Sequence, residues 1–239
     1  MSCFLLLHGG GHGGWCWRDV ARILRADGHD VWTPTLTGYG ERSHLQDRAI
    51  DFKTLVNDVV NVIEFEGLDH VHIVAHSQAG VIAPRVAEVL PERITQIIWL
   101  AGVVLSDGQK LADVVPRPSE FHSVTDQTDG NRIVDVAAWI AEVMPDANPQ
   151  QRHWVAQNYR HSPPAARIEP GRLARFLQLG LPTAYIAATR DACIPLSLAH
   201  RFAQLLPGAT TLEVDAGHEL MITHPHETAA AVLAAHKNS

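Results

Sequence analysis

The sequence predicts an α/β fold: a mostly parallel sheet of about six strands flanked by helices. Three observations carry that expectation. Strand-like runs alternate with helix-period stretches along most of the 239 residues. The strand runs are continuously apolar, as strands buried on both faces of a parallel sheet are. One of them, Val71-His72-Ile73-Val74, runs through Ala75-His76-Ser77-Gln78-Ala79-Gly80 straight into a helical pattern.

Each element has a local reason. Cys3–Leu7 is ended by His8-Gly9-Gly10-Gly11 and reads as the first strand. Trp17, Val20, Ala21 and Leu24 keep helical spacing over 17–26, and Gly28 stops the helix. Residues 30–33 read as a second strand ended by Pro34, and Gly38 and Gly40 mark a loop. A helical period runs from Phe52 through Leu55, Val56, Val59, Val60 and Ile63 to Phe65, before Gly67. After the strand at 71–74, Val81, Ile82, Val86, Val89 and Leu90 predict a helix. The apolar run 97–104 predicts another buried strand. Thr183–Ala188 and 211–214 predict two more, with helices over 198–206 and 226–236.

Residues 106–181 break this rhythm. They are rich in Pro, Asp and Gln, hold Trp139, Met144, Trp154 and Phe176, and contain no long buried strand. They read as a mainly helical cap inserted into a single compact domain whose core is 1–105 and 182–239. No internal repeat or interdomain linker is visible.

Composition excludes several classes. Apolar residues at 46% and charged residues at 19% are ordinary for a globular enzyme. The net charge of −7 is spread without basic clusters, which argues against nucleic-acid binding. The Cys3–Leu7 run is too short for a signal-peptide core and lacks a basic leader, and no later run is long enough to span a membrane. Cys3, Cys16 and Cys193 have no metal-like spacing and fit a reducing cytosol. A cytoplasmic protein is the expectation, with the oligomeric state open and a homodimer compatible with the sequence.

Ser77, between small residues in a strand–helix turn, reads as a nucleophile elbow. Ala75 and Ala79 stand where the usual pattern has glycine, with Gly80 one place later. A serine nucleophile needs a base, an orienting acid and an oxyanion hole. Asp191 follows the strand Thr183–Ala188, and His218 follows the strand at 211–214 after Gly217. That is the chain order serine, acid, histidine expected in such a sheet. Asp107 and Asp215 compete for the acid, and His224 for the base. The Gln78 amide and a glycine of the first loop, assigned as Gly10, would supply the two oxyanion donors. That loop also resembles a dinucleotide-binding turn, but Thr33-Pro34 stands where the acidic residue would be needed.

These residues resemble the α/β-hydrolase superfamily over essentially the whole chain. Within it, His8-Gly9-Gly10-Gly11-His12-Gly13-Gly14-Trp15-Cys16-Trp17 and Ala26-Asp27-Gly28-His29-Asp30-Val31 resemble the plant methylesterase and hydroxynitrile lyase branch. Leu36-Thr37-Gly38 and Glu41-Arg42-Ser43-His44-Leu45 resemble its bacterial relatives, mostly esterases. Some bacterial enzymes of this branch cleave carbamate esters. The resemblance implies a serine hydrolase acting on a small methyl, aryl or carbamate ester, without cofactor or metal. In plant hydroxynitrile lyases a threonine and a lysine stand where this chain has Gly9 and Glu219. A carboxylate beside the site disfavours a departing anion, so hydrolysis is favoured over the lyase reaction. A non-catalytic ligand receptor and cofactor-free chemistry are the rival classes.

Other residues have plainer readings. His8 and His12 show no metal-binding cluster and read as loop packing. Cys193 reads as a neutral packing thiol. His76 is expected to point away from Ser77 and pack under the cap. Gly9, Trp139, Met144 and Trp154 are candidates for the pocket wall, the cap residues equally for a cap core. Glu41 and Arg42 either order their loop or are solvated.

Overall fold

In the computed structural model, which describes residues 1–46, 50–115, 123–125, 132–162 and 169–237, the apolar runs pair as parallel strands. Strand β1 (Cys3–Leu7) leads through a 3-10 turn (Gly14–Trp17) to α1 (Arg18–Ala26) and β2 (Asp30–Trp32). A second 3-10 turn (Gly40–Leu45) lies where only a loop was expected. Helix α2 (Phe52–Phe65) starts at Asp51, whose side chain accepts the Thr54 N–H at 2.7 Å. Then come β3 (Val71–His76), α3 (Ala79–Val89) and β4 (Ile94–Leu100).

The cap follows β4. It contains α4 (Leu111–Val114), a short antiparallel pair β5 (Ser123–Thr125) and β6 (Arg132–Val134), α5 (Val136–Val143), α6 (Pro149–Asn158) and α7 (Leu173–Leu177). The β5–β6 pair was not expected from the sequence. The core resumes with β7 (Thr183–Ala188), α8 (Leu196–Gln204), β8 (Thr210–Val214), the short α9 (Leu220–Thr223) and α10 (Pro225–Lys237).

The six core strands form one sheet in the order β2-β1-β3-β4-β7-β8, every pairing parallel. The chain runs outward from β1 to β2, then returns to place β3 on the other side of β1. At such a switch point the strand ends open into a crevice, where sites of open α/β sheets form. Alternate residues of each strand serve opposite faces. Leu5, Leu7, Ile73 and Ala75 join one apolar cluster with α2, α3 and α8, whereas Phe4, Leu6 and Val74 join another with α1 and α10. Both clusters are buried, which is why the strands read as unbroken apolar runs.

One strand boundary differs from expectation. The run 97–104 is apolar throughout, yet the strand spans Ile94–Leu100, because Ala101 takes a positive φ of 42° and turns the chain. Val103, Val104 and Leu105 stay buried as a loop. No helix among the described residues is long and apolar enough to cross a membrane.

Candidate active site

Ser77 sits between the last residue of β3 and the start of α3, with a φ of 52°. A β-carbon is strained in that region, so the surroundings must hold it there. The Ser77 carbonyl accepts the N–H groups of Gly80 at 3.0 Å and Val103 at 2.9 Å. Ala75 and Ala79 are fully buried, so the flanks must be small but need not be glycine. The required glycine is Gly80. A Cβ there would lie 2.4 Å from the Val103 carbonyl oxygen and 2.7 Å from Trp99 Cδ1.

His218 Nε2 lies 3.0 Å from Ser77 Oγ, and His218 Nδ1 lies 2.7 Å from Asp191 Oδ2. The other carboxylate oxygen of Asp191 accepts the N–H groups of Cys193 at 2.7 Å and Ile194 at 2.8 Å. Asp191 is therefore fixed in orientation and directs its free oxygen to the imidazole. The competing residues lie elsewhere. Asp107 accepts the Ala174 N–H at the foot of the cap, Asp215 is exposed against Arg190, and His224 contacts Asp146.

The loop after β1 runs against this serine. A Cβ on Gly9 would lie 2.9 Å from Ser77 Cβ, and one on Gly10 would lie 3.1 Å from Gln78 Oε1. His8 fixes the peptide between the two glycines. Its Nε2 accepts the Leu36 N–H at 3.1 Å, so Nδ1 carries the hydrogen and donates to the Gly9 carbonyl at 2.8 Å. The same peptide unit bears the Gly10 N–H. Burial, above all, pushes His8 down to about 4 and keeps it neutral. Arg42 orders the next loop by donating to the Thr35 carbonyl and Thr37 Oγ1, both at 2.8 Å.

A strained serine, a histidine and an aspartate each follow a parallel strand, and a glycine loop opposes them. The model of the alpha/beta hydrolase family matches residues 4–231. The chain belongs to the alpha/beta hydrolase family. It is 32% identical to a carbendazim hydrolyzing esterase of Nocardioides sp. (strain SG-4G), over 98% of this chain and 99% of that protein. It is 26% identical to methylesterase 7 of Arabidopsis thaliana, over 96% and 94%. Among solved structures, an extracellular alpha/beta-hydrolase from a Paenibacillus species superposes with a TM-score of 0.86 at 24% identity, covering 98% of this chain and 99% of that one.

In this alpha/beta hydrolase the cavity beside Ser77 has a volume of about 240 Å³. Trp139, Tyr159, Val103 and Ile194 give it apolar walls, and Ser77, His218 and Glu219 give it polar ones. Of the predicted pocket residues only Trp139 lines it. Gly9 lies behind, against Ser77. Met144 follows the end of α5 in non-helical backbone (φ −130°) and is wholly buried among apolar side chains. On α6, Trp154 faces the start of α1, with its ring 5.1 Å from that of Trp15 and the Arg18 guanidinium 4.2 Å above it. Tyr159 carries no sequence signal of a site role. It ends a helix whose inward face is set by packing across the cap.

His76 also differs from expectation. Its ring packs 4.8 Å from that of His218, and its Nε2–H donates to the His218 carbonyl at 3.0 Å. It buttresses His218 rather than packing under the cap. Burial, then the neighbouring His218 and His12, hold His76 well below 6.5 and thus neutral. Cys193 lines the cavity as a thiol raised well above 9.0 by burial and then by the Asp191 charge.

A buried pair was missed altogether. His12 Nε2 lies 3.3 Å from Glu219 Oε2, each side chain 1% exposed. His12 Nδ1 meets the Gly10 carbonyl at 2.7 Å. The residue after His218 is thereby tied to the glycine loop.

Proposed function

We propose that this protein is a serine esterase that cleaves small methyl, aryl or carbamate esters through an acyl-enzyme. The observation that carries the reading is the unbroken chain Ser77–His218–Asp191, with contacts of 3.0 and 2.7 Å. Relatives named esterase and methylesterase support the reaction class. The modest cavity, about 240 Å³, favours a small substrate.

In this reading Ser77 Oγ attacks the ester carbonyl while His218 Nε2 takes its proton. Asp191 holds Nδ1–H and stabilises the imidazolium. The Gly10 and Gln78 amides face the developing oxyanion, and the His8 hydrogen bond to the Gly9 carbonyl strengthens the Gly10 donor. His218 then protonates the leaving alcohol. A water, deprotonated by the same imidazole, releases the acid from Ser77. Glu219 beside the imidazole works against a departing cyanide, so hydrolysis fits better than cyanohydrin cleavage. The test is a panel of methyl, aryl and carbamate esters with wild type and Ser77→Ala side by side. Acyl-Ser77 seen by mass spectrometry supports the reading. A panel on which wild type does no better than Ser77→Ala removes it.

The pH profile follows from His218. Burial pulls its pKa down, but the charge and hydrogen bond of Asp191, with the Glu219 charge, leave it raised above 6.5. Only the neutral imidazole accepts the serine proton. Activity is therefore full above the raised value and lost as pH falls through it. We expect the acid limb of kcat/KM above pH 6.5, and a shift to lower pH in Glu219→Gln. Rates between about pH 5 and pH 9 check this; an acid limb below 6.5 contradicts it.

A further inference from the structure

The loops carrying His218 and Asp191 are gripped from outside the core by one turn of the cap. Helix α5 ends at Val143, whose carbonyl accepts the His218 N–H at 2.9 Å. Three residues on, Asp146 Oδ2 accepts two hydrogen bonds, from the Gly217 N–H at 3.2 Å and Arg190 Nη2 at 3.4 Å, and His224 Nδ1 lies 3.2 Å away. Gly217 immediately precedes His218, and Arg190 immediately precedes Asp191. The Asp146 side chain is 8% exposed, so its contact with the Gly217 N–H is shielded from water. Arg190 is 44% exposed, and its contact is that of a surface pair.

The fit is close on both sides. A Cβ on Gly217 would stand 2.7 Å from the Val143 carbonyl oxygen and 2.9 Å from Pro145 Cδ. Gly217 is thus needed because cap backbone lies against it. From α6, Arg152 braces the turn by donating to the carbonyls of Ala147 at 2.9 Å and Pro145 at 3.1 Å. Gln151 Nε2 adds a further tie to the Ile222 carbonyl at 2.9 Å. Arg190 also holds Asp215 Oδ1 at 2.8 Å, joining the two loops outside the cap.

We propose that Asp146 is a positioning residue: from the cap it holds the Gly217–His218 and Arg190–Asp191 segments in register, so that base and acid meet at hydrogen-bonding distance. The cap turn at 143–146 is then a fixed wall of the catalytic apparatus. This inference rests on the hydrolase reading above. Asp146 lies off the cavity wall and touches no substrate, so its removal disturbs turnover rather than binding. An asparagine keeps an acceptor for the Gly217 N–H but loses the charge that Arg190 meets.

The test is steady-state hydrolysis of a p-nitrophenyl ester by wild type, Ser77→Ala, Asp146→Ala, Asp146→Asn and Asp146→Glu. Fluorophosphonate labelling of Ser77 and far-UV circular dichroism are measured on the same samples. We expect kcat of Asp146→Ala to fall about 10–100-fold with KM within about threefold, since misplacement on the order of 1 Å costs that much. Labelling should slow in step. Asp146→Asn should fall between Asp146→Ala and wild type, and Asp146→Glu should recover part of the rate. A folded Asp146→Ala with kcat within about twofold of wild type overturns the proposal, as does a rise in KM at constant kcat. Should Asp146→Ala not fold, Asp146→Asn is judged by the same twofold limit. Absence of Ser77-dependent turnover in wild type overturns the hydrolase reading itself and is seen independently of every Asp146 variant.

Discussion

Replacing Ser77 by alanine is expected to lower kcat for a small activated ester by about 10⁴- to 10⁶-fold while leaving the fold intact. That is a barrier increase of roughly 5–8 kcal/mol, at about 1.4 kcal/mol per decade. The size follows from the mechanism. Oγ is the atom in contact with His218 Nε2 that forms the acyl bond, and without it that route is lost. The fold is spared because serine and alanine bear the same strain at a φ of 52°. The backbone bonds that hold the turn, Ser77 carbonyl to Gly80 and Val103, do not involve the side chain. Unfolding midpoints of the two proteins should therefore agree to within about 1 kcal/mol. His218→Ala should lose a similar factor, and the double variant little more, because the two residues act as one unit. A Ser77→Ala protein within tenfold of wild type would leave the whole account without its nucleophile. Additive losses in the double variant would show that His218 acts apart from Ser77.

Sequence and structure agree where a local signal sufficed. Cys3–Leu7, Phe52–Phe65 and Thr183–Ala188 have the bounds that their apolar runs and punctuating glycines imply. The strand at 94–100 does not, since burial continues past the turn at Ala101 and an apolar run cannot distinguish a buried strand from a buried loop. That Ser77, Asp191 and His218 lie together could be read because each follows a strand in a fixed chain order. What joins distant segments was not legible. Glu219 and His12 come from opposite ends of the chain, and nothing local to either marks the contact. The positions of Trp154 and Met144 depend on how cap helices rotate against α1 and the core, which periodicity alone does not fix. The grip of Asp146 on Gly217 has the same origin: a glycine before His218 could be read as a bend, but the cap carbonyl that requires it could not.

Glu219→Met is expected to cost about 1–3 kcal/mol of folding stability, because it leaves a buried imidazole nitrogen facing an apolar group in place of its polar neighbour. Both side chains are 1% exposed and 3.3 Å apart, and Glu219 also lines the cavity beside Ser77. His12 cannot turn away either. Its Nδ1 is engaged by the Gly10 carbonyl at 2.7 Å, and its ring stacks on Trp15 at a centroid distance of 5.2 Å. The Nε2 then faces an apolar side chain in place of a carboxylate. For a domain with ordinary stability of about 5–15 kcal/mol the loss is large, and guanidinium unfolding near neutral pH would report it as a lower midpoint. Attraction and desolvation are separated by the double-mutant cycle. If the cost is that of an abandoned partner, His12→Leu combined with Glu219→Met should be less destabilised than the sum of the single variants. A loss under about 1 kcal/mol for Glu219→Met would instead mean that the pair is energetically idle and that the residue after the base is kept for its effect on His218 alone. The two effects are distinguishable in one protein. Glu219→Gln retains the volume and a hydrogen-bonding group but not the charge, so it should hold more of the stability while still moving the acid limb of the pH profile downward.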